Sequence, residues 1–428
     1  MTTTVNPRRW RRPARRGTAV LRRRYRLALL LAVVGPGLLA GLSDDDPAGI
    51  TTYSVLGAEY GYRLLWVLAL STIALVLFHT LGARMGVVTG QGLIGLVRQR
   101  FGVRRAGAGL VALVAANLGT TVAEFAGIAA GAELLGLSRY VAVPLAAVVV
   151  SLLVLRGSFH RVEHILLVLS AVFLAYIGAG LLADPDWGAA ARGLVVPTMP
   201  LTRDAILIAT ATIGTTLAPW GLSFIQSYAV DKKLTTDDLG YERVDVVTGA
   251  VLTGVVGTFV VVACAATLWT RGIEIDSAAD AARALEPIAG DLAATLFAVG
   301  LLGAAMLAAS ILPLSTAYSV SEYLGSESAL DDRARDAPVF YATFGVVTVV
   351  GAAAVLIPGL PLIAVLVLTQ VLNAVLLLPL LGFMLAIARD RDLMGPATAG
   401  RGMTAAYLVA IAVIATCVVA LITLTLTA

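Results

Sequence analysis

The stretch LALLLAVVGPGLLAGLSDDDPAGITTYSVLG, residues 27–57, decides the fold of this chain. Residues 27–42 are apolar or small, SDDDPAG (43–49) interrupts them, and a second apolar half follows. The first half is about 25 Å long as a helix, shorter than the roughly 30 Å of a hydrocarbon core. Proline removes a helical hydrogen bond and glycine favours unwinding. We therefore predict one membrane segment that is unwound at 43–49.

The composition of the whole chain agrees with a membrane protein. Of 428 residues, 59% are hydrophobic and 14% are charged, against roughly 25% charged in soluble domains. Apolar runs of helix-spanning length are separated by short polar stretches. Only helices and closed barrels satisfy the backbone in lipid, and the short alternation of barrel strands is missing here. The predicted class is an all-α integral membrane protein.

The hydropathy pattern predicts eleven membrane segments, with boundaries accurate to a few residues. They lie at about 27–57, 62–82, 106–136, 140–156, 163–183, 204–230, 245–270, 290–320, 338–357, 359–389 and 403–427.

Basic residues predict the orientation of these segments. Residues 1–26 hold ten arginines and no acidic residue. If this tail is cytoplasmic and the segments alternate, 25 of the 31 Lys and Arg face the cytoplasm, as the positive-inside rule requires. The chain should then lie in the cytoplasmic (inner) membrane with its N-terminus inside and its C-terminus outside. We interpret the tail as a topology signal that contacts anionic lipid, and we expect no nucleic acid partner.

Segment 6 carries a second interruption, at LAPWG (217–221). Five segments separate the two interruptions, and an odd offset inverts topology. We therefore predict two inverted repeats, 27–183 and 204–389, followed by an eleventh helix at 403–427. Paired broken helices point to a substrate site at the midplane. The alternative is that segment 1 ends at residue 43 and the three aspartates lie in an outer loop.

Asp44, Asp45 and Asp46 are the first candidate site residues. They are expected at the C-terminal end of a half-helix, where the helix dipole disfavours carboxylates, and burial in the membrane adds a further cost. A bound cation would offset both. Carboxylates together with unwound carbonyls form a hard oxygen site suited to Mg²⁺, Mn²⁺ or Ca²⁺. Asp46, beside the proline, is the preferred ligand.

Polar residues recur on two further segments. Asn117, Thr121 and Glu124 share one face of segment 3 at positions i, i+4 and i+7. A glutamate inside a membrane indicates a functional site, although interhelical packing is the alternative. Gln370 and Asn373 lie close to one face of segment 10, where a ligand role and interhelical hydrogen bonding are equally favoured.

Several stretches resemble the Nramp family of divalent metal transporters, across almost the whole chain after the arginine tail. The resemblance rests on GPGLLAGLSDDDPAGITTYSVLGAEYGYRLLWVLAL (35–70), LGARMGVVTGQGL (81–93), TVAEFAG (121–127), TTLAPWG (215–221), TQVLNAVLLLP (369–379) and RDLMG (391–395). It implies a LeuT-like fold of ten helices in two inverted repeats, with helices 1 and 6 discontinuous.

The resemblance also implies a ligand set for the metal. The family's Asp-Pro-Gly-Asn motif reads Asp-Pro-Ala-Gly here, so Asp46 is retained and Gly49 replaces the asparagine. Backbone carbonyls would come from Ser43 and Thr215, and Gln370 would join in an occluded state. Ala218 stands where the family's Met-Pro-His motif has its methionine.

Two further departures concern protons. Trp220 replaces the family's histidine and Thr121 replaces an aspartate, whereas Glu124 is retained. Loss of the thioether removes a soft ligand, and loss of the two titratable groups removes proton carriers. The chain thus resembles the divergent branch of the family that includes magnesium transporters.

These observations predict secondary transport of Mg²⁺ and/or Mn²⁺ by alternating access, without tight proton coupling. A proton-coupled Mn²⁺/Fe²⁺ importer is the main alternative, and an organic-solute symporter of the same fold ranks lower. We expect no enzymatic activity and no resident cofactor. The partners are the transported cation and the bilayer, and the sequence makes no prediction about oligomeric state.

Overall fold

The computed structural model describes residues 45–155, 171–326 and 335–427, and every regular element in these ranges is helical. The main helices are α1 Pro47–Tyr60, α2 Leu65–Thr89, α3 Val103–Leu134, α4 Arg139–Leu155, α5 Ala175–Leu182, α6 Arg203–Thr216, α7 Pro219–Asp231, α8 Leu239–Thr267, α9 Ala293–Leu324, α10 Pro338–Val355, α11 Leu362–Ala388 and α12 Arg401–Thr427. Shorter helices are Leu93–Phe101, Trp187–Val195, Ala278–Ala282, Glu286–Ala289 and Arg391–Met394.

Eight helical spans in the described ranges are long and apolar enough to cross a membrane. They correspond to predicted segments 2, 3 and 6 to 11, and the shorter apolar helix α4 corresponds to segment 4. Residues 27–44 of segment 1 and 163–170 of segment 5 lie outside the described ranges. The largest boundary error is at the end of segment 2: α2 continues to Thr89 and stops at Gly90, whose φ of 64° is left-handed.

The interruption of segment 6 is present, but it is narrower than predicted. Helix α6 ends at Thr216 and α7 begins at Pro219, so only Leu217 and Ala218 leave the helical conformation. The predicted unwinding of 219–221 is wrong because a proline fits the first turn of a helix, where its missing N–H has no partner to lose.

The same rule corrects the expectation for segment 1. Asp46 is the N-cap of α1 and Pro47 is its first residue, so residues 47–49 are helical rather than unwound. The described structure therefore places Asp46 at the positive, N-terminal end of a half-helix. The predicted half-helix that would end just before Asp46 lies outside the described residues, so its C-terminal end stays a prediction.

The helices pack in two groups. One contains α1, α2, α6, α7 and α8, and the other contains α3, α4, α9 and α10. The first group comprises predicted segments 1, 2, 6 and 7, and the second comprises predicted segments 3, 4, 8 and 9. Segments that are five apart in chain order, such as 1 and 6, therefore lie together, as expected of an inverted repeat. The broken span Arg203–Asp231 lies at the centre, with 94% of the residues in its apolar stretch buried, whereas α12 lies at the periphery, with 22%.

Charged residues at the helix ends fall on the sides that the segment count predicts. Glu59, after segment 1, lies within electrostatic reach of Asp204, Glu274 and Asp276, which begin segment 6 and follow segment 7. All four belong to predicted outer ends. At the opposite end, Arg100 pairs with Asp390, and both belong to predicted cytoplasmic loops. Which end faces the cytoplasm stays a prediction of the charge asymmetry.

Two glycines allow the central helices to approach each other. A Cβ atom at Gly214 on α6 would overlap the backbone of Gln370 on α11, and one at Gly127 on α3 would overlap the ring of Pro47. Without side chains at these positions the backbones touch. The half-helix α1 is thereby pressed against α3, and the end of α6 against α11.

The contact at Gly214 predicts a stability effect. Gly214→Ala should lower the unfolding temperature of the detergent-solubilised protein, since overpacking costs about 1–3 kcal/mol. Gly382→Ala is the matched control: it lies within α11, its Cβ would meet no atom within 4 Å, and it should be neutral or stabilising. Equal unfolding temperatures for the two variants, measured by thermal shift, would contradict the packing described here.

Candidate functional site

Asp46 is held rigidly at the start of α1. Its Oδ1 accepts a hydrogen bond of 2.6 Å from the backbone N–H of Gly49, which is the usual arrangement of an N-cap aspartate. The side chain is buried, as is that of Asp45, whose Oδ1 has no hydrogen-bond partner. Two adjacent carboxyl groups are thus enclosed by protein. Gly49 contributes its N–H to Asp46, and residues 43 and 44 lie outside the described ranges.

Glu124 on α3 meets Asp46 across the interface that Gly127 opens. The two carboxyl groups interact directly, while neither Glu124 oxygen has full hydrogen-bond geometry to any partner. Glu124 is completely buried. Two facing carboxyl groups in an apolar interior repel each other when both are charged, and a shared cation or proton relieves that repulsion.

The break between α6 and α7 lies against α1. The hydroxyl groups of Tyr53 on α1 and Thr216 on α6 are 2.8 Å apart. Thr215 is the residue before Thr216, and its hydroxyl is buried and has no hydrogen-bond partner. Ala218, the N-cap of α7, supplies no side-chain cap and leaves the first turn of α7 without a side-chain acceptor. Thr215 and Ala218 are almost fully buried.

Gln370 lies on α11 beside the end of α6. Its amide oxygen accepts from Asn373 Nδ2 at 2.8 Å, and Asn373 Nδ2 also lies 2.9 Å from the hydroxyl of Thr120 on α3. This network connects α11 to α3 and holds the Gln370 side chain in place. Asn373 has the interhelical bonding role that was one of its two predicted interpretations.

The three polar residues on one face of α3, Asn117, Thr121 and Glu124, have different interaction partners. Asn117 donates to the hydroxyl of Thr316 on α9 at 3.0 Å, and its own Oδ1 has no partner. Thr121 donates to the carbonyl of Asn117 and packs under Gly351 of α10. Only Glu124 of the three interacts with Asp46.

Trp220 opens an aromatic row along α7. Its ring contacts Phe224, which stacks on Tyr228 at 5.0 Å between ring centroids. The indole N–H is buried without a partner, and the backbone carbonyl of Trp220 accepts from Ser315 on α9. The position after the proline thus carries a bulky apolar group with no titratable proton.

Sequence reasoning did not identify four residues that connect these helices. Tyr53 and Thr216 join α1 to α6, while Thr120 and Thr316 join α3 to α11 and α9. The signal for them was weak, since single hydroxyl groups in an apolar run are common in membrane helices. Their partners are on helices up to 253 residues away in sequence.

The predicted site is therefore a set of buried oxygens with unused bonding capacity. Asp45 Oδ1, both Glu124 oxygens, Asn117 Oδ1 and the Thr215 hydroxyl have no hydrogen-bond partner. Buried polar atoms without partners are rare and costly. Within the described ranges no three His, Cys, Asp or Glu side chains form a metal cluster. A cation here would rely on Asp46 supplemented by carbonyl, amide or hydroxyl oxygens.

Comparison with known proteins places the chain in a family. The family described as natural resistance-associated macrophage protein-like (Nramp) matches residues 37–424. Relatives include the divalent metal cation transporter MntH of Burkholderia ambifaria, 34% identical over 65% of this chain and 66% of that protein. MntH of Pectobacterium carotovorum is 29% identical over 87% and 89% of the two chains.

Solved structures agree on the fold. The manganese transporter of Eremococcus coleocola superposes with a TM-score of 0.76 at 18% identity, over 96% of this chain and 88% of that one. MhsT in complex with L-phenylalanine gives 0.56 at 14% identity, over 94% and 98%. These similarities confirm the predicted all-α, LeuT-like membrane fold. Together with the family match across residues 37–424, they show that this chain belongs to the Nramp family.

Proposed function

We propose that this protein is a secondary transporter of divalent metal cations in the cytoplasmic membrane, that it selects hard ions (Mg²⁺ and/or Mn²⁺), and that it works by alternating access without tight proton coupling. Membership of the Nramp family supports cation transport, as do relatives described as divalent metal cation transporters. The observation that carries the proposal is the buried pairing of Asp46 with Glu124 beside the break in the central helix.

A hard cation fits the chemistry of the site. Asp46, Thr215 and Gln370 offer oxygen atoms, and Ala218 offers no side-chain ligand. Mg²⁺ prefers oxygen ligands and usually retains several waters, so a site with few protein ligands suits it. Mn²⁺ accepts the same oxygens and gains from softer ligands, which this site lacks.

Electrostatics supports entry from the predicted outer side. Glu59, Asp204, Glu274 and Asp276 concentrate negative charge at one end of α1, and such a cluster raises the local concentration of cations. The membrane potential then supplies about 4.6 kcal/mol for a divalent ion at 100 mV. We infer that inward movement needs no second ion under these conditions.

The alternative of proton-coupled Mn²⁺/Fe²⁺ import has one observation in its favour. Glu124 is a buried carboxyl group beside Asp46, and a proton on either would relieve their repulsion. Against it stands the aromatic row from Trp220 to Tyr228, which provides no proton carrier next to the site.

An organic-solute symporter ranks lower for a structural reason. Transporters of this fold bind a substrate carboxylate at the N-terminus of a half-helix. Here the carboxylate of Asp46 itself occupies the N-terminus of α1. A second anion would meet Asp45, Asp46 and Glu124 in the same interior.

We expect metal transport to depend on the carboxylate of Asp46. Asp46→Ala and Asp46→Asn should each reduce metal uptake into proteoliposomes at least roughly 10- to 100-fold, because both remove the charged ligand. Asparagine is also a good N-cap, so Asp46→Asn should retain the unfolding temperature. Asp237→Asn, an exposed change of the same charge, is the control. Normal uptake by Asp46→Asn would exclude the proposed site.

Selectivity is tested at the break in segment 6. Ala218→Met should shift competition between Mg²⁺ and Mn²⁺ or Cd²⁺ toward the softer ions by about tenfold, since it restores a thioether. Leu207→Met places the same group on α6, away from the break, and should leave the ion preference unchanged. An unchanged preference in Ala218→Met would indicate that this position does not face the ion.

Proton movement separates the main proposal from its alternative. Wild-type protein should take up Mg²⁺ without acidifying the liposome lumen, as reported by paired metal and pH dyes. Uptake of Mn²⁺ together with protons, unaffected by a large excess of Mg²⁺, would establish the proton-coupled importer instead.

A further inference from the structure

A continuous seam runs between α2 and the peripheral helix α12. Its apolar part is a cavity of about 250 Å³ lined by α2, α12 and the end of α6, including Ala74, Leu77 and Leu217. A second cavity of about 390 Å³ follows at the C-terminal end of α2 and shares Leu77 with the first. The seam is therefore apolar along the middle of α2 and polar near the C-terminal end of α2.

The polar end holds two ionisable side chains that do not pair with each other. Glu242 on α8 is 1% exposed, and both of its carboxylate oxygens are without hydrogen-bond partners. Arg84 on α2 lines the same cavity; its Nε and Nη2 atoms are buried and unpartnered, while the guanidinium interacts with Tyr407 on α12. Buried ionisable groups without hydrogen-bond partners are costly, and a ligand with one ammonium and one anionic group would supply a partner to each of these two side chains.

The surrounding charges favour the same ligand. Glu242 lies within electrostatic reach of Asp245 and Asp238 as well as Lys232, which leaves an acidic environment that suits a cationic group. Arg243 lines the cavity near its mouth and, with Arg84, suits an anionic group. Guanidinium groups bind phosphate well because they donate two parallel hydrogen bonds.

We propose that this seam binds one glycerophospholipid with a primary ammonium headgroup, of the phosphatidylethanolamine class. Its phosphate lies against Arg84 and its ammonium donates hydrogen bonds to the two Glu242 oxygens. A quaternary ammonium has no N–H to donate, and a headgroup with no ammonium leaves Glu242 unpaired. One acyl chain follows the apolar seam past Leu77.

The dimensions fit a single leaflet. Half of the hydrocarbon thickness is about 15 Å, which is the length of about ten residues of helix. Arg84 and Ala74 on α2 are separated by the same number of residues. The apolar cavity that contains Ala74 is also lined by Leu217, one of the two non-helical residues in the break of segment 6. The lipid therefore contacts the hinge that carries Thr215 and Ala218, and it should affect transport as well as bind.

The test measures lipid retention on the full-length protein by native mass spectrometry after delipidation and exchange into defined lipids. Wild-type protein should retain one phosphatidylethanolamine per chain, preferred over phosphatidylcholine and phosphatidylglycerol by about tenfold. Glu242→Gln should abolish the preference over phosphatidylcholine, and Arg84→Gln should lower retention of every phospholipid. Asp237→Asn and Arg105→Gln, exposed changes of matching charge, should behave as wild type.

Equal retention of the three lipids by wild-type protein would overturn the proposal, as would an undiminished preference in Glu242→Gln. Displacement of the lipid by free phosphoethanolamine would show that the pocket takes a soluble headgroup and would overturn the lipid assignment. Because retention is read without transport, these outcomes are independent of the proposed function. Only the accompanying prediction, faster metal uptake in phosphatidylethanolamine than in phosphatidylcholine liposomes, rests on it.

Discussion

The structure depends on placing carboxylate groups in the middle of a membrane protein, where an uncompensated charge is expensive. The position of Asp46 at the N-terminus of α1 offsets part of that free-energy cost. There the backbone N–H of Gly49 and the helix dipole favour a negative charge. The facing carboxyl group of Glu124 adds repulsion that no described side chain cancels. A divalent cation is the group that would complete this arrangement, and the proposed function follows from that imbalance.

The broken helices make such a site compatible with a bilayer. Irregular backbone at membrane depth is tolerated only where protein buries it, and the broken span Arg203–Asp231 is the most buried of the membrane spans in the described ranges. The break is limited to Leu217 and Ala218 because Pro219 starts a new helix at once. A short break leaves few backbone groups unpaired and still gives the two half-helices independent directions.

The site forms because helices approach each other closely at two glycines. Gly127 lets Pro47 rest on α3 and brings Asp46 to Glu124; Gly214 lets α6 rest on α11 and brings Thr215 beside Gln370. The seam at α12 is looser and has Arg84 and Glu242 at its polar end.

The sequence by itself determined the membrane class and the interruption of segment 6, and it singled out Asp46 and Glu124 as candidate site residues. Hydropathy runs, proline positions and isolated charges in apolar helices are signals that a short stretch of sequence carries. Each implies a free-energy cost in the membrane, and only a few structures offset that cost. The Nramp resemblance had the same basis in contiguous motifs, and the family match confirms it.

Only the tertiary structure decided how those residues meet. The N-cap role of Asp46, the orientation of Glu124 rather than Thr121 toward it, and the Asn373–Thr120 bond across 253 residues depend on helix rotation and on which backbones touch. Arg84 and the buried Glu242 carried no signal in the sequence, where each resembles an ordinary charged residue near a helix end. Helical periodicity gives a side chain a direction on its own helix, but the partner it reaches is set by packing among segments distant along the chain.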